Sequence, residues 1–278
     1  MAGAANIMRF AAMGTRVELH RFCGGADDAL AAARRAIEAV DDALTIHRPS
    51  PATAMNEALL AGRPAALDDE LLFRAVEAAA DGHAATKGLF DVAADLRTGT
   101  RWSMIAFDRA ARRIAAERPI ALDFGGFGKG FALDRASAAL REAGVRSALL
   151  TAGESSITVI GEHPLGGPWP FSIPHPEQPD AELLVVELCD QALSISATVG
   201  AGTRAPERAA IVDPRSGSPV EVPACAVSIE SNGTLAEIMS TALLVADRKA
   251  AQCLLRDGAG RRFHFDLRST SELPRKCA

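Results

Sequence analysis

The chain has 278 residues, 48% of them apolar and 23% charged, and a formal net charge of −5. So much apolar surface offsets the entropy of ordering and excludes a disordered chain, while a pI near 5.7 argues against a basic nucleic-acid binder. No run of about 18 apolar residues predicts a membrane-spanning helix. Met1 to Phe10 lacks the apolar core of a secretion signal, so a cytoplasmic location is expected, or a periplasmic one if a signal was removed. There is no tyrosine, and only four of the 30 basic residues are lysine: Lys87, Lys129, Lys249 and Lys276.

In chain order, Asp27 to Ile46 predicts an amphipathic helix, with Leu30, Ala33, Ile37, Val40 and Leu44 recurring three and four apart. Asp27 and Asp28 suit its N-terminus by capping and by the helix dipole. Leu67 to Thr86 predicts a second helix, opened by Asp68, Asp69 and Glu70, with Leu71, Leu72, Ala75, Val76 and Ala79 on its apolar face. A third runs from about Phe131 to Ala143, with Gly144 as its stop. The second half reads differently. Ser147 to Leu150, Ile157 to Ile160, Leu183 to Leu188 and Ala224 to Ile229 predict short buried strands. His163 to Pro179 holds six of the 15 prolines and reads as a loop or an edge strand. Leu235 to Leu255 predicts a last helix, and Arg262 to Leu267 alternates with Phe263, Phe265 and Leu267 on one face. The pattern is α+β, in one domain. The five cysteines (Cys23, Cys189, Cys225, Cys253, Cys277) form no C-x-x-C pair and read as buried free thiols.

Three motifs could carry chemistry. Leu122-Asp123-Phe124-Gly125-Gly126-Phe127-Gly128-Lys129-Gly130 has four glycines in six residues, which let a backbone approach a ligand and turn N–H groups toward an anion. The helix that follows adds its positive end, and Lys129 a point charge for phosphate. The spacing is neither that of a Walker A loop nor G-x-G-x-x-G, and a plain glycine-rich turn against a helix is the alternative. In Ala236-Glu237-Ile238-Met239-Ser240-Thr241, helical spacing puts Glu237 and Thr241 on one face with Ser240 alongside. These are hard oxygen ligands suited to Mg2+, or a solvated helix face. Asp213-Pro214-Arg215-Ser216-Gly217 is a turn signal between two strands.

In order along nearly the whole chain, these segments resemble the FAD:protein FMN transferases, the ApbE family. Met13-Gly14-Thr15 looks like that family's opening strand motif, and Ser50 to Asn56 its Ser-Glu-x-x-x-x-Asn segment. Gly88-Leu89-Phe90-Asp91, with Leu96 and Trp102 downstream, is similar to its Gly-x-Phe-Asp block. Leu122 to Asp134 matches Leu-Asp-x-Gly-Gly-x-x-Lys-Gly-x-x-x-Asp, the most specific element. Trp169, Ile173 and Pro176 resemble a Trp-x-x-x-Ile-x-x-Pro strand, Asp213 to Gly217 an Asp-Pro-x-Thr-Gly turn, and Ala236 to Leu243 the Ala-Asp-Ala-x-x-Thr-Ala-Leu helix.

The resemblance implies one T-fold-like α+β domain over residues 1–278, with mixed or antiparallel sheets and packed helices. It implies Mg2+-dependent transfer of FMN from FAD to a Ser or Thr hydroxyl of an acceptor flavoprotein, with AMP released. By resemblance, Glu237 and Thr241 would ligate the metal with a backbone carbonyl near Gly126 and with Ser240. Asp123, Lys129, Met13 and the Leu89, Phe90 and Asp91 backbone would contact FAD. Four positions depart from the family pattern. Glu237 replaces an aspartate, Ala152-Gly153-Glu154-Ser155 stands for Gly-Gly-Asp, and Ile195-Ser196-Ala197 for Thr-Ser-Gly. Ala209 and Ala210 occupy the region of a family histidine, so no catalytic residue is assigned. His47 lies near the first flavin block, as a site-lining or a surface residue. Two alternatives stand beside transfer: FAD binding without catalysis, and an FAD pyrophosphatase giving FMN and AMP.

Overall fold

The computed structural model describes residues 5–95, 97–200, 211–256 and 258–268. In chain order it runs β1 (Asn6–Ala12), β2 (Thr15–Gly24), α1 (Ala29–Leu44), α2 (Pro51–Leu60), β3 (Ala65–Ala66), α3 (Glu70–Ala85), β4 (Ile105–Asp108) and β5 (Arg113–Ala116). Then follow α4 (Gly128–Glu142), β6 (Val145–Ala152), β7 (Ser156–Ile160), β8 (Trp169–His175), β9 (Gln178–Leu188) and β10 (Ala192–Ala197). The last elements are β11 (Val212–Asp213), β12 (Ser218–Pro219), β13 (Ala224–Glu230), α5 (Gly233–Val245), α6 (Arg248–Arg256) and β14 (Arg261–Asp266).

Seven strands form one sheet in the order β1-β2-β6-β7-β10-β13-β14, antiparallel at every pairing. One face packs against α1, α4 and α5, with α3 behind them against α1 and α5, through a large apolar cluster that includes Ile37, Val40, Val76, Leu133, Leu140 and Leu243. The β8–β9 hairpin covers the other face. Trp169, Ile173, Leu183, Val186 and Leu188 pack there against Val159, Leu193, Cys225, Val227 and Ile229. With both faces covered, every residue of β13 is buried.

The apolar stripe of α1 is buried as its spacing predicts, but Asp28 makes no side-chain cap; only its carbonyl engages the helix, accepting the Ala32 N–H. The predicted second helix starts at Glu70, with Asp69 accepting the Leu72 N–H at 2.8 Å. α2 was not expected, yet it carries a start signal: Ser50 and Thr53 form a capping box and Pro51 stands at the first position. Met13 and Gly14, expected in a strand, form the turn between β1 and β2, both at positive φ (53° and 67°). That is the backbone a two-residue hairpin turn requires. The proline-rich segment is loop up to Pro168, then strand β8, which pairs only with β9. The single helix expected over Leu235–Leu255 is two, α5 and α6, because Asp247 caps a new start by accepting the Ala250 N–H at 2.9 Å. The described thiols are free, but Cys23, Cys189 and Cys253 are exposed, against expectation; only Cys225 is buried, and burial pushes its thiol up to about 12. Leu96, Cys277 and residues 201–210 lie outside the described residues.

Candidate active site at the α4–α5 contact

The glycine-rich segment is held before it begins. Buried Asn56 donates from Nδ2 to the Leu122 carbonyl and accepts the Leu122 N–H, both at 2.9 Å. Asp123 donates its N–H to the Val92 carbonyl at 2.9 Å. Its carboxylate, exposed on the loop, accepts the Gly125 N–H at 2.8 Å in an Asx turn. α4 then starts at Gly128, three residues before the predicted start, which puts Lys129 in its first turn.

None of the four glycines has a positive φ. They are there for closeness instead. A Cβ on Gly126 would meet the Phe90 ring at 3.2 Å, and one on Gly128 the Met13 Cε at 3.0 Å. Gly130 is the tightest: its missing Cβ faces the backbone of Gly233, and a Cβ on Gly233 would lie 2.8 Å from the Gly130 carbonyl. α4 and α5 therefore cross on two glycines.

α5 is pinned at both ends. From α4, the Asp134 carboxylate accepts the Gly233 N–H at 2.6 Å, the Thr234 N–H at 2.9 Å and the Thr234 hydroxyl at 2.6 Å. Burial pushes the Asp134 carboxyl above its usual range despite those bonds. At the far end, Arg215 donates to the Val245 carbonyl at 2.9 Å and pairs with Asp213 at 3.1 Å and Asp247 at 3.0 Å. An anion at the start and a cation at the end both complement the helix dipole. The Asp213–Gly217 turn thus joins β11 to β12, as its turn signal predicts, and also clamps α5.

Between these pins sits Glu237, only 3% exposed, so the solvated-face alternative is overturned. Its Oε2 accepts the Gly130 N–H at 2.8 Å. Its Oε1 accepts the Ser156 hydroxyl and lies 3.2 Å from the Lys129 ammonium. Ser240 is fully buried, its hydroxyl 3.0 Å from that of Ser194, 2.9 Å from that of Ser196 and 3.1 Å from the Glu237 carbonyl. Thr241 is half-buried on the next turn. Ser156 and Ser194 were not expected here. Alternation is the signal that could have found them, since Ile157, Val159, Leu193 and Ile195 turn to the hairpin face and leave these serines facing α5.

The remaining expected residues flank this centre. Met13 touches Gly128 and donates its N–H to Asp41 at 3.2 Å. Leu89 and Phe90 are buried, the Phe90 ring 5.9 Å edge-on from Phe127. The Asp91 side chain is only 1% exposed and turns inward, accepting the Trp102 and Ala93 N–H groups at 2.8 Å. Burial pushes its carboxyl up. The side chain is thus engaged within the fold and not presented to a ligand. His47 is exposed. An open depression of about 430 Å3, lined by Arg9, Phe10, Ala11, Gly14, Thr15 and Arg16, lies beside Met13.

Among the described residues no three His, Cys, Asp or Glu side chains converge to hold a metal. Glu237 and the hydroxyls around it are hard oxygen donors with one carboxylate. That set fits a cation of the Mg2+ type, which keeps part of its shell for waters and phosphate oxygens, and does not fit a closed protein cage.

The ApbE family model matches residues 93–262. A FAD:protein FMN transferase from Rhodobacter capsulatus is 34% identical over 132 residues, which cover 46% of this chain and 24% of that protein. The chain therefore matches about a quarter of that relative's length. The flavinyl transferase ApbE of Pseudomonas stutzeri, in its apo form, superposes with a TM-score of 0.77 at 22% identity over 95% of both chains. The flavin transferase ApbE of Vibrio cholerae does so with a TM-score of 0.78 at 19% identity over 93% of both. These structures share the α+β fold described above. With a family match over more than half its length, the chain belongs to the ApbE family.

Proposed function

We propose that this protein transfers FMN from FAD to a Ser or Thr hydroxyl of an acceptor flavoprotein and releases AMP. The observation that carries the reading is buried Glu237, on a pinned helix, facing Lys129 and the first turn of α4. The R. capsulatus relative's name supports the same activity. In the reaction the acceptor oxygen attacks the FMN-side phosphorus of the FAD pyrophosphate. A new phosphoester bond forms, the bond to the bridging oxygen breaks, AMP leaves with that oxygen, and the hydroxyl proton is released.

Opening a pyrophosphate with a weak oxygen nucleophile rests on positioning and charge neutralisation. Lys129 would supply a point charge to the phosphates. Met13, Phe90 and the backbone around Gly126 would bound the flavin, and with no tyrosine in the chain, stacking on its ring falls to Phe, Trp or His. Mg2+, when bound, would neutralise phosphate charge; Glu237 and Thr241 would hold it, with Ser240 and the Gly126 carbonyl.

A second reading, FAD binding without transfer, is favoured by one observation: the Ser196 hydroxyl is engaged with the buried Ser240 hydroxyl at 2.9 Å. FAD with Mg2+, with and without an acceptor peptide, followed by chromatography, decides among the readings. Transfer predicts AMP and an acceptor heavier by one FMN. FMN and AMP without acceptor would indicate a pyrophosphatase, and intact FAD under all conditions would sink the transfer reading.

A further inference from the structure

We propose that Lys129 is a displaceable internal cation: it closes Glu237 to a divalent metal until the phosphates of a flavin dinucleotide draw the ammonium away, so that flavin and metal bind cooperatively. The inference rests on the flavin reading above and adds an order of assembly to it.

A carboxylate offers about four acceptor sites. On Glu237 three are taken, by the Gly130 N–H, the Ser156 hydroxyl and the Lys129 ammonium. Two of these donors are fixed. The Gly130 backbone is locked against Gly233, and Ser156 is buried on β7. Lys129 is the one that can leave. Its side chain is 27% exposed, it hangs on a flexible four-carbon stem, and the preceding loop opens to solvent at Gly125 and Gly126. An ammonium and a divalent ion on one buried carboxylate repel each other with little screening, so the two compete for it. While Lys129 stays, a metal meets a neutralised ligand. Phosphate oxygens offer the ammonium another anionic partner. Once it moves, Glu237 keeps a buried charge that a new cation would balance. By linkage, flavin then tightens metal binding and metal tightens flavin binding by the same factor.

The test uses Mn2+ as the probe, followed by electron paramagnetic resonance on the full chain without flavin. Lys129→Met should bind Mn2+ at least about tenfold more tightly than the unsubstituted protein, and adding Glu237→Gln should abolish the gain. Equal Mn2+ affinities would overturn the proposal. Since an unpaired buried Glu237 weakens the fold, a second measurement uses the unsubstituted chain. With four lysines in the whole sequence, the Lys129 amino group can be followed by NMR. FAD should shift that signal and tighten Mn2+ by at least about tenfold beyond what FAD alone holds. A signal that stays put with Mn2+ affinity unchanged would overturn the proposal. FAD that fails to bind would remove the transferase reading instead, and the flavin-free comparison would still decide this one.

Discussion

The two faces of the seven-stranded sheet are both buried, but with different chemistry. Toward the β8–β9 hairpin, alternate residues of three central strands are apolar: Ile157 and Val159 on β7, Leu193 and Ile195 on β10, Cys225, Val227 and Ile229 on β13. Toward α5, the same strands present Ser156, Thr158, Ser194, Ser196 and Ser228 in the alternate positions. Burying hydroxyls costs free energy unless they are hydrogen-bonded, and packing gains nothing from them that alanine or valine would not give. Here Ser156, Ser194 and Ser196 are bonded to Glu237 and Ser240. One face is built for stability. The other spends stability on an oriented carboxylate.

The comparison can be broken most sharply on the apolar side. Trp169 is 4% exposed and central to the hairpin cluster. Trp169→Ala should cost about 3–5 kcal/mol in denaturant unfolding, yet leave the FAD affinity of the remaining folded protein unchanged. A parallel loss of FAD affinity would show that the two faces are not separable. On the polar side, Gly130→Ala must push α4 off α5, at a cost of about 1–3 kcal/mol, and should weaken FAD binding as well. Gly128→Ala meets only the flexible end of Met13 and should cost less on both counts. The reverse order would refute the glycine crossing.

Arg215→Ala should lower the melting temperature modestly. Its ion pairs are partly exposed, so the loss is about 1 kcal/mol or less, and added salt should shrink it. A salt-independent loss would point to another role for this turn. The smallest expected effect is a pH slope. Burial raises the folded-state pKa of Asp134 above 3.8, so its contribution is fully present below 3.8 and lost as pH rises through the raised value. The stability of the unsubstituted chain relative to Asp134→Asn should therefore fall as pH rises from about 4. A difference that stays constant with pH would mean that the carboxyl is not perturbed.

Much of this was legible from residues alone where periodicity and function agree. The stripes of α1 and α3 declare their buried faces, and the spacing of Glu237 and Thr241 placed both on one helix. The parts that were not legible depend on distant partners. β10 reads as polar because its serines are buried against a helix nearly fifty positions away. The break between α5 and α6 is stabilised by Arg215, some thirty residues earlier. The glycine-rich segment looked like an anion cradle, but Gly130 gives its N–H to Glu237 and its surface to Gly233. Neither partner is visible in local spacing. Lys129, one of four lysines, is paired with the buried Glu237 carboxylate, a partner more than a hundred residues away.

In the proposed transfer, flavin phosphate binds at the polar face through Lys129. FAD affinities of Lys129→Ala and Lys87→Ala, read by flavin fluorescence on variants shown to be folded, test it most directly. Lys87 is exposed on the turn after α3 and serves as the matched control. Losing a charge-assisted hydrogen bond predicts a loss of about tenfold or more for Lys129→Ala and no change for Lys87→Ala. Equal affinities in the two variants would contradict the account.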